Sequence, residues 1–198
     1  MIKRLVIVGA ESTGKTTFAR ELCESLRARG SPFATTRWVP EVGRDYTVEK
    51  LARARAEAAR RGAPEPGMDD LVWTTADFVA IAVAQNALED AEASHSGPVV
   101  VCDTDTFATA VWHERYLERR APEVEALIEP RERSYLVTHH DDVPFEADEI
   151  RDGAHLRRWM TERFLLRLRE RGERFELVRG ARAERVTRAL ALLDRWLG

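Results

Sequence analysis

The eight residues Gly9-Ala10-Glu11-Ser12-Thr13-Gly14-Lys15-Thr16 have the types and spacing needed to bind a nucleotide triphosphate. Glycines at the first and sixth positions let the backbone turn so that consecutive N–H groups face phosphate oxygens. Lys15 brings an ammonium to the outer phosphates, and the Thr16 hydroxyl can ligate a magnesium ion. A second group, Asp103-Thr104-Asp105, follows the apolar run Val99-Val100-Val101-Cys102. An acid at such a strand end holds the same magnesium through bound water; the competing reading is that the pair caps the next turn. In Pro40 to Tyr46, Glu41 and Arg44 stand three residues apart beside an aromatic ring. Such a pair can hold a polyol and take a proton from one hydroxyl, or can simply form a solvated turn. Arg151, Arg157 and Arg158 lie in and just after a charged, turn-prone segment and could neutralise charge developing in phosphoryl transfer. Arginine is abundant in this chain, so any one of them could equally be surface charge.

These groups need an α/β frame to meet. Residues 2–8 read as a strand, and a helix over 16–29 carries Phe18, Leu22 and Leu26 at spacings of four. Residues 33–39 read as a second strand, 49–61 have a helix-forming composition, and 62–67 form a surface excursion with two prolines and two glycines. From Asp69 a long helix is expected, with Val72, Ala76, Val79 and Val83 as one stripe and Phe78, Ile81, Ala82 and Leu88 widening it. Gln85 falls among these, where an amide either reaches a ligand or pairs with backbone. Trp73 and Trp112 could stack on a flat ring or serve as core. Residues 99–102 predict a central parallel strand, 134–138 a fourth, 174–178 a fifth, and Val186, Leu190, Leu193 and Leu197 mark a closing helix. The series predicts a doubly wound α/β fold of the P-loop NTPase type, a three-layer sandwich with a five-stranded parallel sheet and a small helical lid at about 141–158, in one domain over 1–198.

Composition narrows the partners. The chain has 198 residues, 44% hydrophobic and 33% charged, enough for one full core. A net charge of −3 gives no electrostatic reason to expect a nucleic-acid groove or an anionic membrane, so a small molecule is the expected partner. Two cysteines, Cys23 and Cys102, argue against a disulfide framework and suit a reducing cytosol. No apolar run approaches the eighteen or so residues of a membrane span, and Met1 leads directly into the first strand, so a cytoplasmic protein is expected. His139, His140, Asp141 and Asp142 raise the question of zinc. Adjacent side chains on an extended chain diverge, however, and zinc is not expected there.

Several separated motifs together resemble one family, the bacterial ribosylnicotinamide kinases, found as standalone domains and as the kinase half of bifunctional NAD-biosynthesis and regulator proteins. Glu11-Ser12-Thr13-Gly14-Lys15-Thr16-Thr17 is similar to its phosphate loop, and Pro40 to Tyr46 to its Glu-x-x-Arg-x-Tyr element. Residues 77–85 resemble its substrate-side helix, Asp103-Thr104-Asp105 with Thr109 and Trp112 its magnesium strand, and 144–153 its lid. Glu149 stands where glycine is expected after Asp148, and Gly43 where alanine is usual.

The resemblance implies ATP- and Mg2+-dependent phosphorylation of the 5′-hydroxyl of nicotinamide riboside. It implies that residues 11–17 with Gly9 and Arg157 bind ATP, that Thr16 and Asp103 hold magnesium, and that Lys15 and Arg151 act on the transferring group. Glu41 or Asp103 would accept the hydroxyl proton. Arg44 and Asp105 would lie on the ribose side with Gln85, and Trp73, Trp112 or Tyr46 against the ring. Two alternatives remain open from the residues alone: another nucleoside or nucleotide kinase, and a nucleotide-binding switch or ATPase that drives a protein partner.

Overall fold

The computed structural model describes residues 2–146 and 153–197. Five strands, β1 (Lys3–Val8), β2 (Arg37–Val39), β3 (Val99–Asp103), β4 (Arg133–Thr138) and β5 (Phe175–Val178), form one sheet in the order β2-β3-β1-β4-β5. Every pairing is parallel. Seven α-helices lie among the described residues: α1 (Lys15–Ala28), α2 (Val42–Arg61), α3 (Thr75–Ala93), α4 (Thr106–Leu117), α5 (Pro122–Glu125), α6 (Arg157–Glu170) and α7 (Arg182–Leu197).

Strand parity divides the core. Leu5 and Ile7 of β1 face Phe18, Leu22 and Leu26 of α1 and Leu192 and Leu193 of α7. Val6 and Val8 point the other way, toward Phe78 of α3, Phe107 of α4 and Phe164 of α6. Both faces of the central strands are covered, which is why β1, β3 and β4 read as near-continuous buried runs. The chain order reverses at β1, so the carboxyl ends of β1 and β3 open a crevice where a ligand of an open parallel sheet binds.

Three element boundaries differ from the sequence reading. β2 starts only at Arg37, because the Phe33 N–H donates to Gly30 O at 2.7 Å and the Thr36 N–H to Phe33 O at 2.9 Å, making a turn of what looked extended. α2 begins at Val42, inside the Pro40–Tyr46 motif and ahead of the helix-forming stretch at 49–61. α3 begins at Thr75, six residues after Asp69: Thr74 caps it, and its own N–H donates to Asp77 Oδ2 at 2.8 Å. The stripe counted from Val72 is accordingly the wrong one, with Val72 77% and Val83 51% exposed. The buried face of α3 runs through Phe78, Ile81, Ala82, Gln85, Asn86 and Glu89. Polar residues can occupy it because each is paired. Asn86 donates to Leu127 O at 2.8 Å and accepts from the Thr106 hydroxyl at 2.7 Å, and Glu89 lies against Arg4 and Arg131, each at 3.3 Å.

Candidate active site

The turn between β1 and α1 is held open by its own backbone and by the end of β4. Gly9 has φ +152°, and a Cβ there would fall 2.1 Å from Thr138 Oγ1 and 3.1 Å from Thr138 O. The Thr13 hydroxyl lies 2.8 Å from Ala10 O and 2.7 Å from Thr138 Oγ1. Lys15, 8% exposed, donates from Nζ to Ala10 O at 2.8 Å, and Gly14 is the N-cap of α1. The amides of the first turn of α1 have no intrahelical acceptor and the helix dipole adds positive potential, so an anion is favoured here. Gly9→Ala is expected to cost about 3 kcal/mol, since the new methyl must displace Thr138 and the backbone is strained as well. Calorimetry should read this as a Tm lowered by roughly 6–12 °C.

Beside this loop lies a cavity of about 620 Å³. Its lining takes in residues 11–17 with Gly180, Ala181, Arg182 and Arg185, and also Glu41, Arg44 and an aromatic end of Trp73, Phe78, Trp112 and Tyr116. The aromatic end is a connected wall, with Trp73 and Tyr116 centroids 5.0 Å apart and Trp112 stacked on Tyr116 at 6.4 Å. Trp73 and Trp112 both pack on the core and face the cavity, and neither indole N–H has an acceptor among the described residues. The two readings offered for them are therefore not exclusive.

Two carboxylates meet the loop. β3 delivers Asp103, 1% exposed, to the loop, where Lys15 and the Thr16 hydroxyl both favour its charged form. Burial raises its pKa against those two favourable partners. Asp103 Oδ1 is buried and has no partner among the described residues. An unpaired carboxylate oxygen beside a hydroxyl is a hard oxygen donor set, which fits Mg2+. Glu41, the N-cap of α2, lines the cavity. Burial pushes its pKa up to about 7, helped by the negative charges of Asp103 and Glu11 and opposed by Lys15 and Arg44. A carboxyl poised there can exchange a proton at neutral pH.

Other expected site residues have different neighbours. Gln85 is 1% exposed; its amide oxygen accepts the Val42 N–H at 3.0 Å and its nitrogen lies 3.5 Å from Pro40 O, so it braces the backbone that carries Glu41. Asp105 is fully buried, caps α4 through the Ala108 N–H at 2.9 Å, accepts the Tyr135 hydroxyl at 2.8 Å and pairs with Arg133 at 3.2 Å. Its carboxylate faces the sheet interior instead of the cavity, because β3 ends at Asp103 and the chain has already turned into α4. The Tyr46 hydroxyl donates to Asp77 Oδ1 at 2.8 Å, which turns it away from the cavity wall. Arg44 does line the cavity. Arg157 donates to Ser12 O at 3.2 Å and Val143 O at 2.7 Å, gripping the outside of the loop, while Arg158 is exposed and bound to Glu162 at 2.9 Å. Arg151, with Asp148 and Glu149, lies outside the described residues.

Some neighbours of the loop were not legible in sequence. Arg185 of α7, 3% exposed, donates to Thr13 O at 2.9 Å and Gly180 O at 2.9 Å and pairs with Asp142 at 3.4 Å. Nothing distinguishes it in the sequence from the other arginines. Tyr116 stood next to Trp112 at helical spacing, and that four-residue interval was the available signal. The histidine pair also departs from expectation. The chain turns at 140–142, so the rings of His139 and His140 stack at 4.2 Å, and His139, His140 and Asp141 offer ligand atoms within 4.8 Å of one another. No helix among the described residues is long and apolar enough to cross a membrane.

The family described as AAA domain matches residues 4–185. The trifunctional NAD biosynthesis/regulator protein NadR of Salmonella typhimurium (strain LT2) is 25% identical over 150 residues, covering 76% of this chain and 31% of its own length. The chain thus spans about a third of that curated relative. Among solved structures, NadR protein in complex with NAD and AMP-PNP superposes with a TM-score of 0.66 at 18% identity, over 96% of this chain and 48% of that one. NadR protein in complex with NR gives 0.59 at 21% identity, over 89% and 43%. Thymidylate kinase from Ehrlichia chaffeensis gives 0.61 at 11% identity, over 98% and 99%. The fold is that of the P-loop kinases.

Proposed function

Because the chain belongs to the AAA domain family, matched over residues 4–185, we propose that it is a P-loop nucleoside kinase that moves the γ-phosphoryl group of ATP to the 5′-hydroxyl of nicotinamide riboside. The products are ADP and nicotinamide mononucleotide. One observation carries the reading: a single cavity joins the phosphate loop to Glu41 and to the aromatic wall of Trp73, Trp112 and Tyr116. A hydrolase driving a protein partner needs the loop but has no use for an aromatic acceptor pocket beside it. The resemblance of the motifs to ribosylnicotinamide kinases supports the choice of acceptor.

In this reading the loop amides and Lys15 bind the β and γ phosphates, preorganised so that no reorganisation is required as charge shifts. Thr16 and Asp103 would hold Mg2+, which offsets charge on the phosphate oxygens when bound. Arg44, whose charge already acts on Glu41 and Asp103, faces the same space. Glu41 accepts the acceptor's hydroxyl proton. Its place in the cavity lining favours it over Asp103, which this reading assigns to Mg2+. The rings of Trp73, Trp112 and Tyr116 offer electron-rich faces to the flat cationic base. Arg182, Gly180 and Ala181 line the far end, where the adenine would rest.

The test is a panel of ribonucleosides incubated with ATP and Mg2+, with ADP and nucleoside monophosphate quantified by mass spectrometry. Nicotinamide riboside is expected to exceed each standard nucleoside in kcat/KM by about 100-fold, the discrimination of a site built around a particular base. A standard nucleoside that matches or beats it would overturn the acceptor. ADP release that ignores every nucleoside would favour the ATPase reading.

A further inference from the structure

Glu11 sits in the phosphate loop, yet its carboxylate points across to two other parts of the molecule. Oε2 accepts the Gly153 N–H at 2.9 Å, just before α6, and Oε1 lies 3.4 Å from Arg115 Nη1 on α4. Both side chains of the ion pair are largely buried, Arg115 4% and Glu11 13% exposed, so the attraction is weakly screened. The Arg115 guanidinium carbon lies 4.4 Å from the Tyr116 ring centroid and 5.2 Å from that of Trp112. A separate observation marks the same point: a Cβ on Gly153 would fall 2.7 Å from Arg115 Nη2 and 2.8 Å from Glu11 Oε2. A side chain there would push the ends of Arg115 and Glu11 aside.

We propose that Glu11 is a positioning residue that couples the two ends of the cavity, passing displacement of the phosphate loop through Arg115 to the aromatic wall of the acceptor pocket. The proposal rests on the reading that the loop takes a nucleotide triphosphate, and it holds for any acceptor that uses the aromatic wall. When phosphates fix the loop, the Glu11 carboxylate moves with it. Arg115 follows its counter-ion, and Tyr116 and Trp112 follow the guanidinium through their stacked faces. Each site then biases the other by a shared free energy, commonly worth about 5–150-fold in affinity.

An acceptor-independent experiment tests this. The chain has five tryptophans, and the indole N–H resonance of Trp112 can be assigned in a 15N-labelled sample by comparison with Trp112→Phe. AMP-PNP with Mg2+, titrated to saturation, is expected to shift that resonance in the wild-type chain. In Glu11→Gln, which keeps an acceptor for the Gly153 N–H but loses the charge pair, and in Glu11→Ala, saturating nucleotide is expected to leave it within about a third of the original shift. An indole that moves equally in both variants and the wild type overturns the coupling, as does a wild-type indole that nucleotide binding leaves still. AMP-PNP that fails to bind the wild-type chain at all overturns the triphosphate reading itself, a distinct failure.

Discussion

Lys15→Ala is expected to lower kcat for phosphoryl transfer about a thousandfold, with little loss of folding stability. The rate effect follows from position. The ammonium stands at the first residue of α1, 8% exposed, where its charge acts on both Asp103 and Glu41. Removing a preorganised charge aimed at a transferring phosphoryl group typically costs about 10³-fold or more. The stability effect is small because the lysine's recorded bond is to Ala10 O, and that carbonyl keeps the Thr13 hydroxyl at 2.8 Å. A lost bond whose acceptor stays satisfied costs about 1 kcal/mol. ADP release at saturating ATP, together with a calorimetric Tm, separates the two quantities. A fall of less than about tenfold would remove Lys15 from the transferring phosphate, since general rim charges have effects of that size. Lys15→Arg should not rescue, because a planar fork cannot take the place of a compact ammonium in a closed loop.

Glu41→Gln is expected to lower kcat by about 10²–10³-fold and to change the shape of the pH profile. As a base Glu41 works only when ionised, and with its pKa pushed up to about 7 the ionised fraction grows as pH rises through neutrality. In the wild-type enzyme kcat/KM should therefore climb about tenfold per pH unit on the acid side and level off above roughly pH 7.5, the profile of the free enzyme's essential base. In Glu41→Gln that acidic limb should vanish, leaving a slow and nearly flat profile. Persistence of the same limb in the variant would transfer the role to Asp103, the other buried carboxylate of the site. Lys15→Ala should also move the wild-type limb upward in pH, because Lys15 is the largest influence holding the Glu41 pKa down.

The phosphate loop and the sheet were legible in the chain for a local reason. Gly9, Gly14, Lys15 and Thr16 act through backbone geometry within eight residues, and the apolar runs of β1, β3 and β4 are contiguous because both faces of each strand are covered. Spacing and periodicity carry such features without reference to the rest of the molecule. Asp103 follows from the same logic, being the residue at the carboxyl end of a buried strand.

The surroundings of that loop depend on residues far apart in sequence, and there local pattern fails. Asp103 and Asp105 look equivalent two residues apart, yet one ends β3 under the influence of Lys15 and Thr16 and the other pairs with Arg133 and Tyr135, because the chain turns at Thr104 and Asp105 becomes the cap of α4. Gln85, which by sequence could reach a ligand or pair with backbone, braces the Pro40–Val42 backbone, a contact 43 residues away. Glu11 and Arg115, 104 residues apart, meet over Gly153, and Arg185 reaches Thr13 from 172 residues away. By itself the sequence determined that a strand–loop–helix unit suits a triphosphate and that a parallel sheet would carry it, since both are fixed by short-range backbone and side-chain preferences. Only the tertiary structure decided which carboxylates face the cavity and which are consumed by internal partners, because burial and ion pairing are properties of neighbours that the order of residues does not name.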